Sequence, residues 1–344
     1  MRNTGGFNMT KKTLTTIIVM LCGVVGLLLH SQVAHAQSMD FSVEPQKSSL
    51  QRDQSKTYFD LNVKPGQKES VMVKVTNTSD KRIKINTSVN VAKTNPNGVV
   101  EYGKSRFKSD KTLTTPITDV VTTAPKQLSL APKSSKMAIF EIDAPKQKFN
   151  GVIAGGISFK KVAPDKKKTS KGISVTNNYQ YVVGMVLHQG RQKLTPMLKL
   201  GDVKAKSEAG RNLVTAQLRN VKKRYLSQAK IVAKVQTTSK RTLYKSTKDH
   251  VQFAPNSIMD YPIRLNGERF KPGRYRLDLT VTAAKKKWHF VREFTITKEQ
   301  AEKYNNQDVT LKPDHTMLYW AVGSVLIVII GVLSWVVIKM KRKR

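Results

Sequence analysis

Lys68-Glu-Ser-Val-Met-Val-Lys-Val-Thr-Asn77 and, a few residues on, Ile83-Lys-Ile-Asn-Thr-Ser-Val-Asn-Val91 are the stretches that decide the fold. Val71, Val73 and Val75 alternate with Met72, Lys74 and Thr76. Ile83, Ile85, Thr87, Val89 and Val91 alternate with Lys84, Asn86, Ser88 and Asn90. A period of two sends successive side chains to opposite faces of a strand, so each run has one face for a core and one for water. Thr76-Asn-Thr-Ser-Asp80 between them supplies turn chemistry, and the two runs are expected to form a hairpin.

The same pattern continues in both directions. Asn95-Pro-Asn-Gly98 marks a tight turn, and further strand-like runs lie at Met137–Ile142 and Gly151–Phe159. Gly155 and Gly156 inside the second run point to a bulge or a close backbone approach. These elements predict a first sandwich over 37–160. Pro, Gly and clustered Lys in 163–172 break the pattern, so 161–177 is expected to be a basic linker or loop. Tyr179–Leu187 is apolar on both faces, as in a strand buried on both sides. Runs follow at Leu213–Leu218, Ala229–Val235, Val251–Phe253, Ile258–Leu265, Tyr275–Val281 and Trp288–Ile296, predicting a second sandwich over 178–297. Thr297 with Gln300 has the form of a capping box, and 298–317 reads as a short helix and stalk.

The two ends place the chain. Leu318–Ile338 carries no formal charge and meets the basic tail 339–344, Lys339, Lys341, Arg342, Lys343 and Arg344. About 20 apolar residues cross a bilayer as a helix, and Tyr319, Trp320 and Trp335 lie where interfacial rings prefer to be. At the other end Lys11 and Lys12 precede an apolar stretch and Ala34-His-Ala36, the layout of a secretory signal over 1–36, with Met9 an alternative start. Cys22, the single cysteine, lies within that signal. Leu21 is too large for the residue that precedes a lipidated cysteine, and the mature chain is left without disulfide or thiol chemistry. The fold class expected is therefore all-β: two tandem immunoglobulin-like β-sandwich domains plus one C-terminal transmembrane helix. The ectodomain would face the cell wall and the tail the cytoplasm.

Charge narrows the surroundings. Lys and Arg number 61 against 23 Asp and Glu, a formal net charge of +38. Residues 37–163 hold 21 basic and 11 acidic groups, and residues 164–317 hold 32 and 12. In a cytosolic chain such an excess would point to nucleic acid. Outside the membrane the polyanions are wall polymers, lipid headgroups and acidic glycans, and no nucleic-acid partner is expected. Lys166–Lys168, Lys222–Arg224 and Lys285–Lys287 are the densest clusters in the more basic half.

Catalytic chemistry finds little footing. His188, His250, His289 and His315 are scattered, no H-E-x-x-H, G-x-S-x-G or P-loop pattern occurs, and metal-ligand spacing is lacking. S-x-x-K occurs at Ser105/Lys108, Ser158/Lys161 and Ser227/Lys230, as often as chance gives in a Lys-rich chain, with no S-D-N or K-T-G beside it. Glu141 and Asp143 share a strand face, more in keeping with a solvated edge than an acid–base pair. Leu311-Lys-Pro-Asp-His315 is not a sortase signal. Tyr58, Phe59, Tyr102 and Phe107 lie near turns and could stack on sugar rings, although most aromatic residues of a small domain fill its core. Trp288 is expected in the core. No enzyme activity and no cofactor are expected, with catalytic, cofactor-binding and metal residues none.

Phe41-Ser-Val-Glu-Pro-Gln46, Tyr58-Phe-Asp-Leu-Asn-Val-Lys-Pro-Gly-Gln67, Ala92-Lys-Thr-Asn-Pro-Asn-Gly98 and Phe149-Asn-Gly-Val-Ile-Ala-Gly-Gly-Ile-Ser-Phe159 follow in that order. Together with Asn178-Tyr-Gln-Tyr-Val-Val-Gly184, Pro272-Gly-Arg-Tyr-Arg-Leu277 and Trp288–Ile296 they resemble the WxL-interacting proteins of Gram-positive bacteria. The resemblance covers nearly the whole chain. It implies a peptidoglycan-binding domain, then a host-binding domain, with peptidoglycan, WxL-domain surface proteins and host proteins as partners; acidic glycans are expected from the charge alone. The chain has no W-x-L tripeptide of its own, which suits the interacting partner. The resemblance assigns no binding residue. A membrane-tethered, non-enzymatic adhesion protein is the expectation. The alternative is an extracytoplasmic chaperone or assembly factor that offers a sheet edge to a client strand.

Overall fold

In the computed structural model, which describes residues 40–162, 179–190, 194–311 and 316–341, the alternation along Val71–Val75 is a burial pattern. Val71, Val73 and Val75 are sealed in a core while Met72 stands exposed. The first core lies between two sheets. One has the order β1 (Phe41–Pro45), β3 (Lys68–Asn77), β9 (Ser135–Asp143), β7 (Val121–Thr123). The other runs β2 (Phe59–Asn62), β11 (Gln180–Gln189), β10 (Gly151–Lys161), β4 (Ile83–Val91), β8 (Gln127–Leu130). Phe41 and Phe140 from the first sheet meet Phe59, Leu61, Ile85 and Phe159 from the second. A two-stranded hairpin, β5 (Lys93–Thr94) with β6 (Val100–Glu101), projects from this body.

One expectation is corrected here. The runs 71–76 and 83–91 are not a hairpin, because β3 pairs with β1 and β9 whereas β4 pairs with β10 and β8. Asn77 makes the difference. Its buried side-chain amide donates to the carbonyls of Lys81 (2.7 Å) and Ala131 (2.8 Å), and its Oδ1 accepts from the Ser79 amide at 3.0 Å. That network turns the chain across the core into the opposite sheet. The sequence places Gln180–Gln189 at the head of the second domain, and its backbone pairs with strands of the first sandwich. This strand lies between β10, antiparallel, and β2, parallel, so by hydrogen bonding it completes the first sandwich. Its burial on both sides agrees with its sequence. The expected linker falls largely on 163–178, outside the described residues, as do the signal segment 1–36 and the tail beyond 341.

The second core is likewise held between two sheets: β12 (Leu198–Glu208), β13 (Arg211–Asn220), β16 (Ser257–Arg264), and β15 (Thr242–Phe253), β14 (Leu226–Thr237), β17 (Gly273–Ala283), β18 (Lys286–Ile296). Leu218, Ile231, Phe253, Tyr261, Leu277 and Val281 fill it, with Trp288 packed against its margin. Helix α1 (Lys298–Gln307) starts in the expected capping box, Thr297 accepting from the Gln300 amide. It packs on the second sandwich. Ala301 is buried, Tyr304 meets Phe270 edge-on, and the Asp308 carboxylate accepts from the Asn212 amide at 2.7 Å.

Helix α2 (Thr316–Lys341) contains the whole expected span 318–338. Its side chains are described over 320–335 and at Lys339. Among the described residues no helix is long and apolar enough to cross a membrane.

Candidate functional site

Gly156 of β10 and Gly184 of β11 stand opposite each other on the outer face of the first sandwich. Without Cβ atoms the sheet surface is lowered there, and aromatic rings come down onto it. A Cβ at Gly156 would lie 2.6 Å from Tyr102 Cβ, too close for any real contact, and one at Gly184 would lie 3.6 Å from Tyr58 Cβ. Tyr102 follows β6, Tyr58 precedes β2, and Tyr225 precedes β14 of the second sandwich. The three rings line a cavity of about 410 Å³ floored by Gly184 and Val186 and rimmed by Gln252. That volume and mixed lining are in the range of small-ligand pockets.

The hydroxyl of Tyr225 is buried in the cavity wall beside that of Tyr102. Burial, then the neighbouring Tyr102, pushes its pKa well above the usual phenol value, and burial also raises Tyr102. Both stay protonated at neutral pH.

A polar trio of Arg52, Asp60 and His188 lies on the neighbouring strands. His188 Nε2 lies 2.6 Å from Asp60 Oδ1, and Arg52 Nη1 lies 3.6 Å from the same oxygen. Burial lowers the His188 pKa below its ordinary value. Asp60 opposes that shift and Arg52 reinforces it. The imidazole is therefore neutral at pH 7 and donates its Nε2–H to Asp60.

The walls belong to both sandwiches, so the cavity depends on how they are joined. Segment 92–113 of the first lies along the second. Thr94 Oγ1 is 2.7 Å from Ser257 Oγ, the Ala254 amide donates to Thr94 Oγ1 at 2.9 Å, and Asn256 Nδ2 donates to Thr112 Oγ1 at 2.8 Å. Asp110 accepts two hydrogen bonds from Arg219, and Ala92, Val100, Ala154 and Ala254 form a small apolar cluster under the tyrosines.

The aromatic candidates divide. Tyr58, 37 % exposed, and Tyr102 are brought together in the cavity; Phe59 is core, at 1 %; Phe107 is half-buried under Arg106. Tyr225 escaped sequence reading because it sits in a Lys-Lys-Arg-Tyr stretch with no periodicity. Glu141 and Asp143 are exposed, and Asp143 faces Lys68 at 3.9 Å. Ser158 Oγ accepts from Asn90 and Gln180 side chains, a structural role. Among the described residues no group of His, Asp or Glu is arranged to hold a metal. Of the basic clusters, Lys285–Lys287 is exposed at a hairpin tip. Lys222–Arg224 is half-buried at the junction, where Lys223 lies over Phe149, and Lys166–Lys168 lies outside the described residues.

Family models match the chain in two consecutive stretches. The WxL-interacting protein peptidoglycan binding domain matches residues 41–161, and the host binding domain of the same family matches 170–306. The second match starts before β11, so the family boundary and the hydrogen-bonded sandwiches differ by that strand. No curated protein matches the chain in sequence. Among solved structures, a class 5 fimbriae chaperone, CfaA, aligns at 12 % identity and TM-score 0.30, over 74 % of this chain and 98 % of its own. The E. coli chaperone DraB aligns at 12 % identity and TM-score 0.29, over 75 % and 98 %. At such scores the likeness carries no argument. The two family matches, in order, settle the membership: the chain belongs to the WxL-interacting protein family.

Proposed function

We propose that this is a membrane-anchored, non-enzymatic cell-surface protein that grips peptidoglycan with its first sandwich, docks WxL-type surface proteins and contributes to attachment to host proteins. The observation that carries the reading is the succession of a peptidoglycan-binding and a host-binding family match along one chain. The tyrosine cavity gives the first activity a place. Sugar rings present apolar C–H faces that stack on Tyr58 and Tyr102. Both sandwiches are read as immunoglobulin-like, on the support of sheets of three to five strands enclosing one core each.

Anchoring by Leu318–Ile338 rests on the helix Thr316–Lys341 and its surface. Trp320, Ile327, Val328, Ile330 and Trp335 are each at least 60 % exposed, so apolar side chains point outward all round the helix. A helix apolar on every side needs apolar surroundings. Protease added to protoplasts should remove the ectodomain and leave the tail protected; the reverse pattern sinks the anchor.

Wall binding is tested by co-sedimentation of residues 40–311 with insoluble peptidoglycan, beside an unrelated protein of similar charge. The chain should pellet and the control remain in solution. Equal recovery in the supernatant removes the claim.

A further inference from the structure

At the end of the second sandwich formed by the β14–β15 turn and the β16–β17 connection, the chain encloses a groove of about 930 Å³. Six cationic side chains line it: Arg241, Lys245, Arg264, Arg269, Lys271 and Arg274. All six are exposed, and Glu268 is the single acidic residue of the lining. Tyr244, Tyr275, Leu243 and Pro272 supply apolar surface between the charges.

The groove is built, because its loops are tied down. The Thr237 amide donates to the Arg241 carbonyl at 2.9 Å and the Arg241 amide to Thr237 Oγ1 at 3.2 Å, closing the β14–β15 turn. In the β16–β17 connection, Asn305 of α1 clamps Phe270. Its Oδ1 accepts from the Phe270 amide at 2.8 Å and its Nδ2 donates to the Phe270 carbonyl at 3.0 Å. Tyr275 donates its hydroxyl to the Lys271 carbonyl at 2.6 Å, fixing the loop from below. A ligand would thus meet loops whose backbone is already ordered, which lowers the cost of binding.

We propose that this groove binds a polysaccharide bearing sulfate or carboxylate groups, the anions pairing with the guanidinium and ammonium groups while sugar faces lie against Tyr244 and Pro272. Arginine is four of the six cations, and its planar fork takes two oxygens of a sulfate or carboxylate at once. The surroundings of Tyr244 agree. Burial, with Tyr275 and Glu268 adding to it, pushes its pKa up to about 12, so the ring stays uncharged. A simple phosphate polymer would use the charges and leave the ring faces idle. This site is separate from the tyrosine cavity, and its test does not depend on the wall-binding reading.

The experiment uses the full chain in detergent over immobilised heparin, with uncharged dextran and polyglycerol phosphate as comparison surfaces. The groove variant is Arg241→Gln/Arg269→Gln/Arg274→Gln. The control, Lys285→Gln/Lys286→Gln/Lys287→Gln, removes the same charge from an exposed hairpin elsewhere. Removing three of the six cations is expected to weaken binding about tenfold, the equivalent of about 1.4 kcal/mol. The groove variant should therefore bind heparin at least about tenfold more weakly, and the control within about twofold of the parent. Circular dichroism confirms that both stay folded. Equal losses in the two variants, no loss in the groove variant, or heparin binding no stronger than dextran would each overturn the assignment. Binding of polyglycerol phosphate with none to heparin would also overturn it, in favour of a wall polymer.

Discussion

Asp110 of the first sandwich accepts from Arg219 Nε of the second at 2.6 Å and from its Nη2 at 3.1 Å, with the Asp110 side chain fully covered. Burial alone would raise the Asp110 pKa. The Arg219 guanidinium and the Thr112 amide and hydroxyl outweigh it and hold the carboxyl below its ordinary value. A carboxylate whose folded pKa is depressed stabilises the fold above its unfolded pKa, and the contribution is lost as pH falls through the acid range.

Replacing one partner strands the other. Asp110→Ala should cost about 2–4 kcal/mol, somewhat under the range for fully buried pairs because Arg219 keeps some solvent contact. Asp110→Ala/Arg219→Met should cost less than Asp110→Ala alone. Urea denaturation of residues 40–311 reads both, and equal stability of parent and Asp110→Ala would refute the clamp.

His188 predicts a second pH effect of the same sign in a higher window. Its pKa is lowered in the fold, so the unfolded chain takes up a proton first as pH drops below about 6.5. The melting temperature should decline between pH 7 and 5.5, and His188→Gln should flatten that decline. Parallel profiles for the two proteins would show that the imidazole does not titrate as described.

The strand Gln180–Gln189 makes a prediction about cutting the chain. Val183, Met185 and Leu187 are buried in the first core, each worth about 1.5–3 kcal/mol. Their sum approaches the whole stability of a small domain, about 5–15 kcal/mol. Residues 40–162 alone should be unfolded or molten, while 40–190 should unfold cooperatively. A cooperative transition for 40–162 would mean β11 is dispensable.

How much of this could be read from sequence follows from where signal arises. Val71–Val75, Ile83–Thr87 and Tyr275–Val281 alternate because one face is buried, and the structure buries those faces. Lys199-Leu-Gly-Asp-Val-Lys-Ala-Lys206 in β12 and Lys245-Ser-Thr-Lys-Asp-His250 in β15 did not register as strands. Both are edge strands rich in Lys, with register shifts along their pairings, so few apolar residues mark them. Partners were less legible still: nothing local says that Asn77 turns the chain into the other sheet. The cavity was half visible, through Tyr58, Tyr102 and the strand glycines. Tyr225, from a different sandwich, could be placed only by the junction.

Gly184 gives the sharpest test of wall binding through the tyrosine cavity. A Cβ there meets Tyr58 at ordinary contact distance, and the residue lies in an extended strand, so Gly184→Val should fold normally while filling the cavity floor. By contrast, Gly156→Ala would drive a Cβ into the Tyr102 backbone oxygen at 2.6 Å and should destabilise the sandwich. The measurement is retention of residues 40–311 on insoluble peptidoglycan at high salt, where long-range charge is screened within a few ångströms. The parent should stay bound, and the folded Gly184→Val protein should lose at least about tenfold in affinity, the worth of about 1.4 kcal/mol of ring stacking and hydrogen bonding. Equal retention of the two proteins, or release of the parent as salt rises, would contradict a tyrosine-cavity grip on the wall.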